Sequence, residues 1–173
     1  MNDNDRRISA IHVEDEGKIG AVWISHCKIS DVATIYDCCK FNNEVLAVIS
    51  EGLNARGRWI PIAWEKRAKD VSDKLLSRGC TMLYDPVDET PFSAQMVSRD
   101  ILERMRTGRF KVEKRLGEWT QEFNLFNEQE GQIPVGSFPL MAATRYAIAC
   151  LDQGRRLKTI PKKQGNAPKF ATI

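Results

Sequence analysis

The chain has 173 residues, of which 42% are hydrophobic and 28% are charged, so it can form one compact domain with a sizeable core but has little room for a second. No apolar run approaches the roughly 20 residues of a membrane span, and the polar N-terminus lacks the apolar core of a signal peptide, so we expect a soluble cytoplasmic protein without a membrane partner. The formal net charge of +3 does not identify a partner. The five cysteines show no Cys-x-x-Cys spacing, which indicates reduced core thiols rather than a metal or redox site.

Strand patterns dominate the first part of the chain, after a polar leader that we expect to be flexible over residues 1–7. Three runs are rich in branched and aromatic residues and are separated by short polar turns. This spacing predicts a three-strand antiparallel meander, with strands over residues 8–13, 19–25 and 32–38.

Helical periodicity then alternates with short apolar runs. A glycine follows each of the first two helical patterns, at Gly57 and Gly79, where a helix C-cap is expected. The predicted elements are a helix over 43–56, a buried central strand over 59–64, a helix over 66–78 and a strand over 80–84.

The second half of the chain is mainly helical. The last helix is expected to begin after Ser137, which can serve as its N-cap, with Pro139 in its first turn. Residues 154–173 contain basic side chains, prolines and glycines but no acid, and they predict a flexible basic arm. The predicted elements are helices over 93–107, 116–126 and 140–151, with a short edge strand over 110–112.

An antiparallel meander followed by alternating helices and strands predicts an α/β domain with a mixed sheet flanked by helices. This is the element order of the ribonuclease H fold, although the pattern alone also fits other α/β domains of similar size. In that fold the first strand, the end of the fourth strand and the start of the last helix converge. Carboxylates at these three places hold two Mg²⁺ ions roughly 4 Å apart, one to activate water and one to stabilise the leaving oxygen.

Five segments of the chain carry a family resemblance. They are Gly-Ala-Val-Trp-Ile-Ser-His at 20–26, Gly-Arg-Trp-Ile-Pro-Ile-Ala-Trp at 57–64, Leu-Glu-Arg-Met-Arg-Thr-Gly-Arg-Phe-Lys-Val at 102–112, Trp-Thr-Gln-Glu-Phe at 119–123 and Leu-Met-Ala-Ala-Thr-Arg-Tyr at 140–146. In this order they resemble the nuclease domain of the large terminase subunit of tailed phages with podovirus-type headful packaging. The resemblance implies a ribonuclease H-like domain over residues 8–153, a bacterial host cell, a role in phage DNA packaging and Mg- or Mn-dependent endonuclease activity. A Gly-x-x-x-x-Gly-Lys-Ser/Thr loop is absent from the sequence, so we expect no ATPase motor within it.

The departures from the family pattern fall at the three metal-ligand positions. The aspartate of the first strand aligns with His12, the second aspartate with Arg67, and the acidic pair before the last helix with Phe138 and Pro139. Arg67 is the most informative replacement, because a guanidinium stays charged and opposes a cation where the ion should lie. The resemblance with these replacements predicts a degenerate nuclease domain without a metal cofactor.

A displaced metal site is the alternative. If the alignment has shifted by one or two residues, Glu14, Asp15 and Glu65 are candidate ligands, and the chain is then a Mg- or Mn-dependent endonuclease of the packaging terminase. No acid lies between Glu130 and Asp152, so the last helix offers no substitute at its start.

The favoured interpretation is therefore a binding protein that uses a terminase-nuclease surface without cutting. Its expected partners are double-stranded DNA or phage packaging proteins, such as an intact terminase or the portal, and it acts in packaging or in interference with packaging. The third hypothesis is that the chain is a remnant of a decaying prophage without a present function. The candidate nucleic-acid contacts are Arg67, Arg104, Arg109, Lys111, Arg155 and Arg156. Because acids are interspersed with the basic residues over 99–115, this segment is also consistent with an ordinary solvent-exposed protein surface. The basic arm is also consistent with a tail that only increases solubility.

Overall fold

Three long antiparallel strands form the centre of the fold in the computed structural model, which describes residues 5–14, 17–127 and 138–156. They are β1 (Arg6–Val13), β2 (Lys18–Cys27) and β3 (Val32–Asn42), and β2 pairs with both of the others. β2 is buried from Ile19 to His26, as its uninterrupted apolar run requires. The predicted meander is confirmed, and each strand is longer than its sequence pattern indicated.

Two short parallel strands complete the sheet. β4 (Ile62–Ala63) pairs with β1, β5 (Phe110–Val112) pairs with β3, and the strand order is β4-β1-β2-β3-β5. The mixed sheet and the edge strand over 110–112 are therefore confirmed.

The prediction of a central strand over 59–64 is wrong in position and length, because only β4 pairs there and it lies at one edge of the sheet. The run from Ile60 to Glu65 is nevertheless buried, since the last helix and the segment after Cys80 pack against it. That segment makes an isolated bridge between Met82 and Ile62 rather than the predicted strand.

The helices follow the apolar periodicity of the sequence. The predicted helix over 66–78 begins with a short 3-10 turn at Lys66–Ala68, and the last helix begins at Pro139 with Phe138 rather than Ser137 at its N-cap. Thr90 and Ser93 form a capping box at the start of the third helix. The α-helices are α1 (Leu46–Ala55), α2 (Lys69–Ser77), α3 (Pro91–Arg106), α4 (Gly117–Asn127) and α5 (Pro139–Ala149).

Helix α5 packs across the middle of the sheet. All of its residues from Pro139 to Ile148 are buried, and its main partners are β1 and β2. Three alanines let its backbone approach the strands closely. Because α5 is the structural centre of the domain, the side chains at its start have fixed positions relative to β1 and β2.

The two ends of the described chain meet on β1. β1 begins at Arg6, within the segment predicted as a flexible leader, and Arg155 exchanges two backbone hydrogen bonds with Arg7 at 2.7 and 3.0 Å. The predicted basic arm thus starts with residues 154–156 lying beside the sheet, whereas residues 157–173 are outside the described part. All five cysteines are free, as predicted, although Cys80 and Cys150 alone are buried. Within the described residues no helix is long and apolar enough to cross a bilayer.

Candidate functional site

Three elements converge on the carboxylate of Glu65. This residue follows β4, the imidazole of His12 projects from β1, and Tyr146 lies on α5. His12 Nδ1 is 3.3 Å from Glu65 Oε1 and 3.1 Å from the Tyr146 hydroxyl, which donates a hydrogen bond to Glu65 Oε2 at 3.1 Å. The three elements meet here, but the contact from α5 is made by Tyr146 in the second half of the helix and not by its start. We call these three residues together with Arg67 the Glu65 cluster.

The Glu65 side chain is stabilised as an anion. It is only 4% exposed, and burial alone would raise its pKa. Hydrogen bonds from His12 and Tyr146 and the charge of Arg67 outweigh burial, so the pKa of Glu65 lies below its ordinary value. Arg67 contacts Glu65 Oε2 at 3.2 Å while its own side chain remains 85% exposed. Burial, together with the charges of Glu89 and Glu65, raises the pKa of Tyr146, which keeps its hydroxyl protonated and able to donate.

The start of α5 carries no carboxylate of its own. Pro139 is packed so closely on β2 that a Cβ atom added to Gly20 would come within 2.6 Å of it, and Gly20 is the cross-strand partner of His12. Phe138 gives the helix no side-chain cap and instead contacts Phe126 edge to face. Pro139 thus lies against β2 opposite the strand that carries His12, and Phe138 packs on α4. Their alignment with the family's ligand positions stays a prediction.

Glu122 on α4 supplies the missing cap. Its Oε1 accepts hydrogen bonds from the backbone N–H groups of Leu140 and Met141 at 2.7 and 2.9 Å, where the helix dipole favours a negative charge. Lys40 Nζ on β3 lies 2.7 Å from Oε2, an ion pair without hydrogen-bond alignment. The carboxylate nearest the start of the last helix is therefore already bound to backbone donors and a lysine.

A second acid, Glu89, acts electrostatically on Tyr146 through its position beside Arg145. Glu89, from the acidic loop before α3, accepts two hydrogen bonds from Arg145 at 2.7 and 2.9 Å. The side chains of Arg145 and Glu89 are 9% and 16% exposed, so this bidentate pair ties the loop to α5.

These donors do not fit a two-metal site. Among the described residues no group of three or more His, Cys, Asp or Glu side chains could hold a metal ion. Glu65 is the acid at the point of convergence, and Arg67 lies against it. Glu14 and Asp15 are the other two candidate ligands of a displaced metal site. Glu14 lies in the turn after β1, where its backbone N–H donates to the backbone carbonyl of Lys18, and Asp15 lies outside the described residues.

The predicted nucleic-acid contacts lie at two ends of the sheet. Arg67 is near the end of β1, whereas Arg104 and Arg109 meet Asp31 in the β2–β3 turn, at 3.1 and 3.0 Å, close to the start of β1. Arg104 also contacts Asp100 and is 14% exposed. A hydrogen bond from His26, followed by those from the two arginines, outweighs burial and lowers the pKa of Asp31 to about 2. Lys111 is exposed on β5, and Arg155 and Arg156 are exposed after a 3-10 turn at Leu151–Gln153.

Sequence reasoning did not identify Glu89, Glu122 or Tyr146 as parts of the site. Tyr146 and Glu122 lie within segments that carried the resemblance, and Glu89 lies in the loop recognised as acidic. The sequence therefore singled out the segments that contain these residues, but the contacts that each residue makes become evident only from the packing of α4 and α5.

The fold has relatives among solved structures. No known protein-family model matches the sequence, and neither does any curated protein at a significant level. The P22 large terminase nuclease domain is 19% identical, with a TM-score of 0.79 over 90% of this chain and 86% of that one. The large terminase nuclease domain of bacteriophage SPP1 with bound Mn is 12% identical, with a TM-score of 0.64 over 84% and 85%. The human cytomegalovirus terminase nuclease domain, soaked with Mn, is 14% identical, with a TM-score of 0.59 over 87% and 85%. The chain therefore has the ribonuclease H-like fold of the nuclease domains of large terminase subunits.

Proposed function

We propose that this chain is a terminase-nuclease-type domain that binds DNA in phage packaging, in the cytoplasm of the bacterial host, without cutting it. The observation that carries the proposal is the occupation of Glu65, the acid at the point of convergence, by His12, Tyr146 and Arg67. Two-metal cleavage needs several carboxylates free to bind the ions. A carboxylate already engaged by three side chains, one of them a guanidinium, lacks that freedom.

Double-stranded DNA is the proposed partner because the chain has the fold of large terminase nuclease domains and carries exposed basic side chains, including an acid-free basic segment after Gln153. Contacts of arginine and lysine with phosphates are independent of base sequence, and no base-reading motif is present in the sequence. Association with packaging proteins, an intact terminase or the portal, is the second form of the same role. It predicts co-purification of those proteins and no DNA shift at physiological salt.

An active endonuclease is the competing function, and one observation favours it. Glu65 lies where the fold brings β1, β4 and α5 together, and a cation that displaced Arg67 would meet a buried carboxylate. Glu14 and Asp15 are the further ligands of this alternative, and Mg or Mn is its cofactor.

One experiment separates the two functions. Supercoiled plasmid is incubated with the protein in Mn²⁺, in Mg²⁺ and in EDTA, and a labelled duplex is titrated with the same preparation in a mobility-shift assay. We expect retarded duplex and intact plasmid in all three conditions. Plasmid nicking that needs Mn²⁺ and disappears in Glu65→Gln would overturn the proposal, with Glu118→Gln, an exposed acid on α4, as the matched control.

A further inference from the structure

Six arginines surround the end of the sheet that lies opposite the Glu65 cluster. They come from the start of β1, from the segments before β4 and after α2, and from the residues that follow α5. We call this group the arginine end; it consists of Arg6, Arg7, Arg58, Arg78, Arg155 and Arg156.

Contacts between these segments place the six arginines side by side. The guanidinium of Arg7 lies 5.6 Å from the ring centres of both Tyr36 and Trp59, and Trp59 follows Arg58 in the chain. The backbone of Arg155 is hydrogen-bonded to Arg7. Arg58 and Arg78 line one open groove between α1 and α2, together with Asn54 and Glu51. These contacts place the six arginines along this end of the sheet as a basic strip, which also includes the acid Glu51.

The six arginines differ from the arginines of the α3–β5 segment in their contacts with the other described residues. Within the described part of the chain none of them forms an ion pair with a carboxylate; Arg6 donates to the backbone carbonyl of Asp152 at 3.1 Å, and Arg7 stacks on aromatic rings. By contrast, Arg104, Arg106 and Arg109 of the α3–β5 segment pair with Asp31, Asp100 or Glu103 at 2.8–3.1 Å. A guanidinium without a carboxylate can take a phosphate without first breaking an ion pair.

We infer that the arginine end is a binding surface for the phosphodiester backbone of double-stranded DNA, separate from the Glu65 cluster. The inference rests on the proposed function, since it identifies where the DNA would bind. A strip with four exposed arginines, Arg58, Arg78, Arg155 and Arg156, suits successive phosphates better than one small anion. The backbone pairing of Arg155 with Arg7, and the position of Arg7 over the rings of Tyr36 and Trp59, hold the strip in place. Less conformational entropy of the side chains and backbone is therefore lost on binding.

The test compares three variants by fluorescence anisotropy with a short labelled duplex of random sequence over a series of salt concentrations. Arg58→Gln with Arg78→Gln removes two exposed charges of the arginine end. The matched control, Lys69→Gln with Arg106→Gln, removes two exposed charges that are ion-paired with Asp73 and Glu103. Arg67→Gln removes the exposed charge of the Glu65 cluster.

We expect the Arg58/Arg78 variant to lose affinity about tenfold or more at low salt and to flatten the log–log salt slope by about 1.8, since each phosphate contact contributes about 0.9. The Lys69/Arg106 control should keep the wild-type slope. Loss of binding in Arg67→Gln with full binding in the Arg58/Arg78 variant would overturn the inference and leave the proposed function standing. Absence of DNA binding by the wild-type chain would remove both the inference and the DNA-binding form of the proposed function. Mn²⁺-dependent nicking, with DNA affinity still reduced in the Arg58/Arg78 variant, would remove the proposed function alone.

Discussion

The hydroxyl of Tyr146 donates a hydrogen bond to Glu65 Oε2 at 3.1 Å, across the junction between α5 and the end of β4. Tyr146 is 1% exposed and Glu65 is 4% exposed, so the bond is closed to solvent. It connects the helix at the centre of the domain to the acid that a cation would need. The same contact therefore stabilises the fold and occupies the carboxylate.

Replacement of Tyr146 by Phe should lower the free energy of unfolding by about 1–3 kcal/mol, because a buried carboxylate loses one of its donors. Urea denaturation measures the change. Tyr84→Phe is the control, since Tyr84 is 95% exposed and should unfold like the wild type. Equal stability of all three proteins would show that the hydroxyl contributes nothing to the junction.

Gly20→Ala should destabilise the domain by about 1–3 kcal/mol, since a new Cβ would lie 2.6 Å from Pro139 and force α5 away from β2. Gly117→Ala is matched to it, because no atom lies within 4 Å of a Cβ at that position. Thermal unfolding of the two variants gives the comparison. A Gly20→Ala protein as stable as Gly117→Ala would mean that α5 can shift without cost.

Local sequence patterns were sufficient to predict most of the fold. The three long strands and the five helices follow from branched runs, helical periodicity and glycine stops, all of which depend on neighbouring residues. The run over 59–64 was misassigned as central because burial by a helix and a loop gives the same apolar pattern as burial between strands. Only the pairing partners distinguish the two cases.

The candidate site was less predictable because its contacts join distant parts of the chain. The resemblance predicted a convergence of His12, the end of the fourth strand and the start of α5. The contact from α5 comes instead from Tyr146, in the second half of the helix. The resemblance also could not show that Arg104 and Arg109 meet Asp31, 73 and 78 residues away, and so are partly neutralised. Nor could it show that Glu122 caps α5, since that depends on how α4 packs.

Glu122→Ala should cost about 2–4 kcal/mol, because two backbone N–H groups at the start of α5 lose their acceptor and Lys40 loses its counter-ion. Glu122→Gln, which keeps an acceptor oxygen, should cost less. A double-mutant cycle with Lys40→Met separates the ion pair from the cap. Glu118→Ala, on the exposed side of the same helix, serves as the control, and an equal loss in both helix variants would contradict the capping role.

Acid should weaken the domain through Asp31. Its pKa falls from an ordinary 3.8 to about 2 in the folded chain, so its ion pairs contribute fully above about pH 4 and are lost as the pH falls towards 2. Asp31→Asn tolerates the positive φ of 51° and should be less stable than the wild type by about 1 kcal/mol at neutral pH, with the difference disappearing below about pH 2. Urea denaturation at a series of pH values tests this. A difference that stays constant from pH 5 to about pH 2 would contradict the assignment.

Two truncations should separate the fold from the basic arm. A chain ending at Arg156 keeps the backbone pairing of Arg155 with Arg7 and should melt like the full chain, whereas a chain ending at Gln153 loses that pairing and should melt lower. Both remove Lys158, Lys162, Lys163 and Lys169, so both should flatten the salt slope of DNA binding, by about 0.9 for each lysine that meets a phosphate. The chain ending at Gln153 also loses Arg155 and Arg156 of the arginine end and should flatten the slope further. Calorimetry and the anisotropy titration measure the two effects on the same proteins. If the chain ending at Arg156 binds DNA with the full wild-type slope, residues 157–173 contribute no phosphate contact, and the binding depends on the rest of the chain.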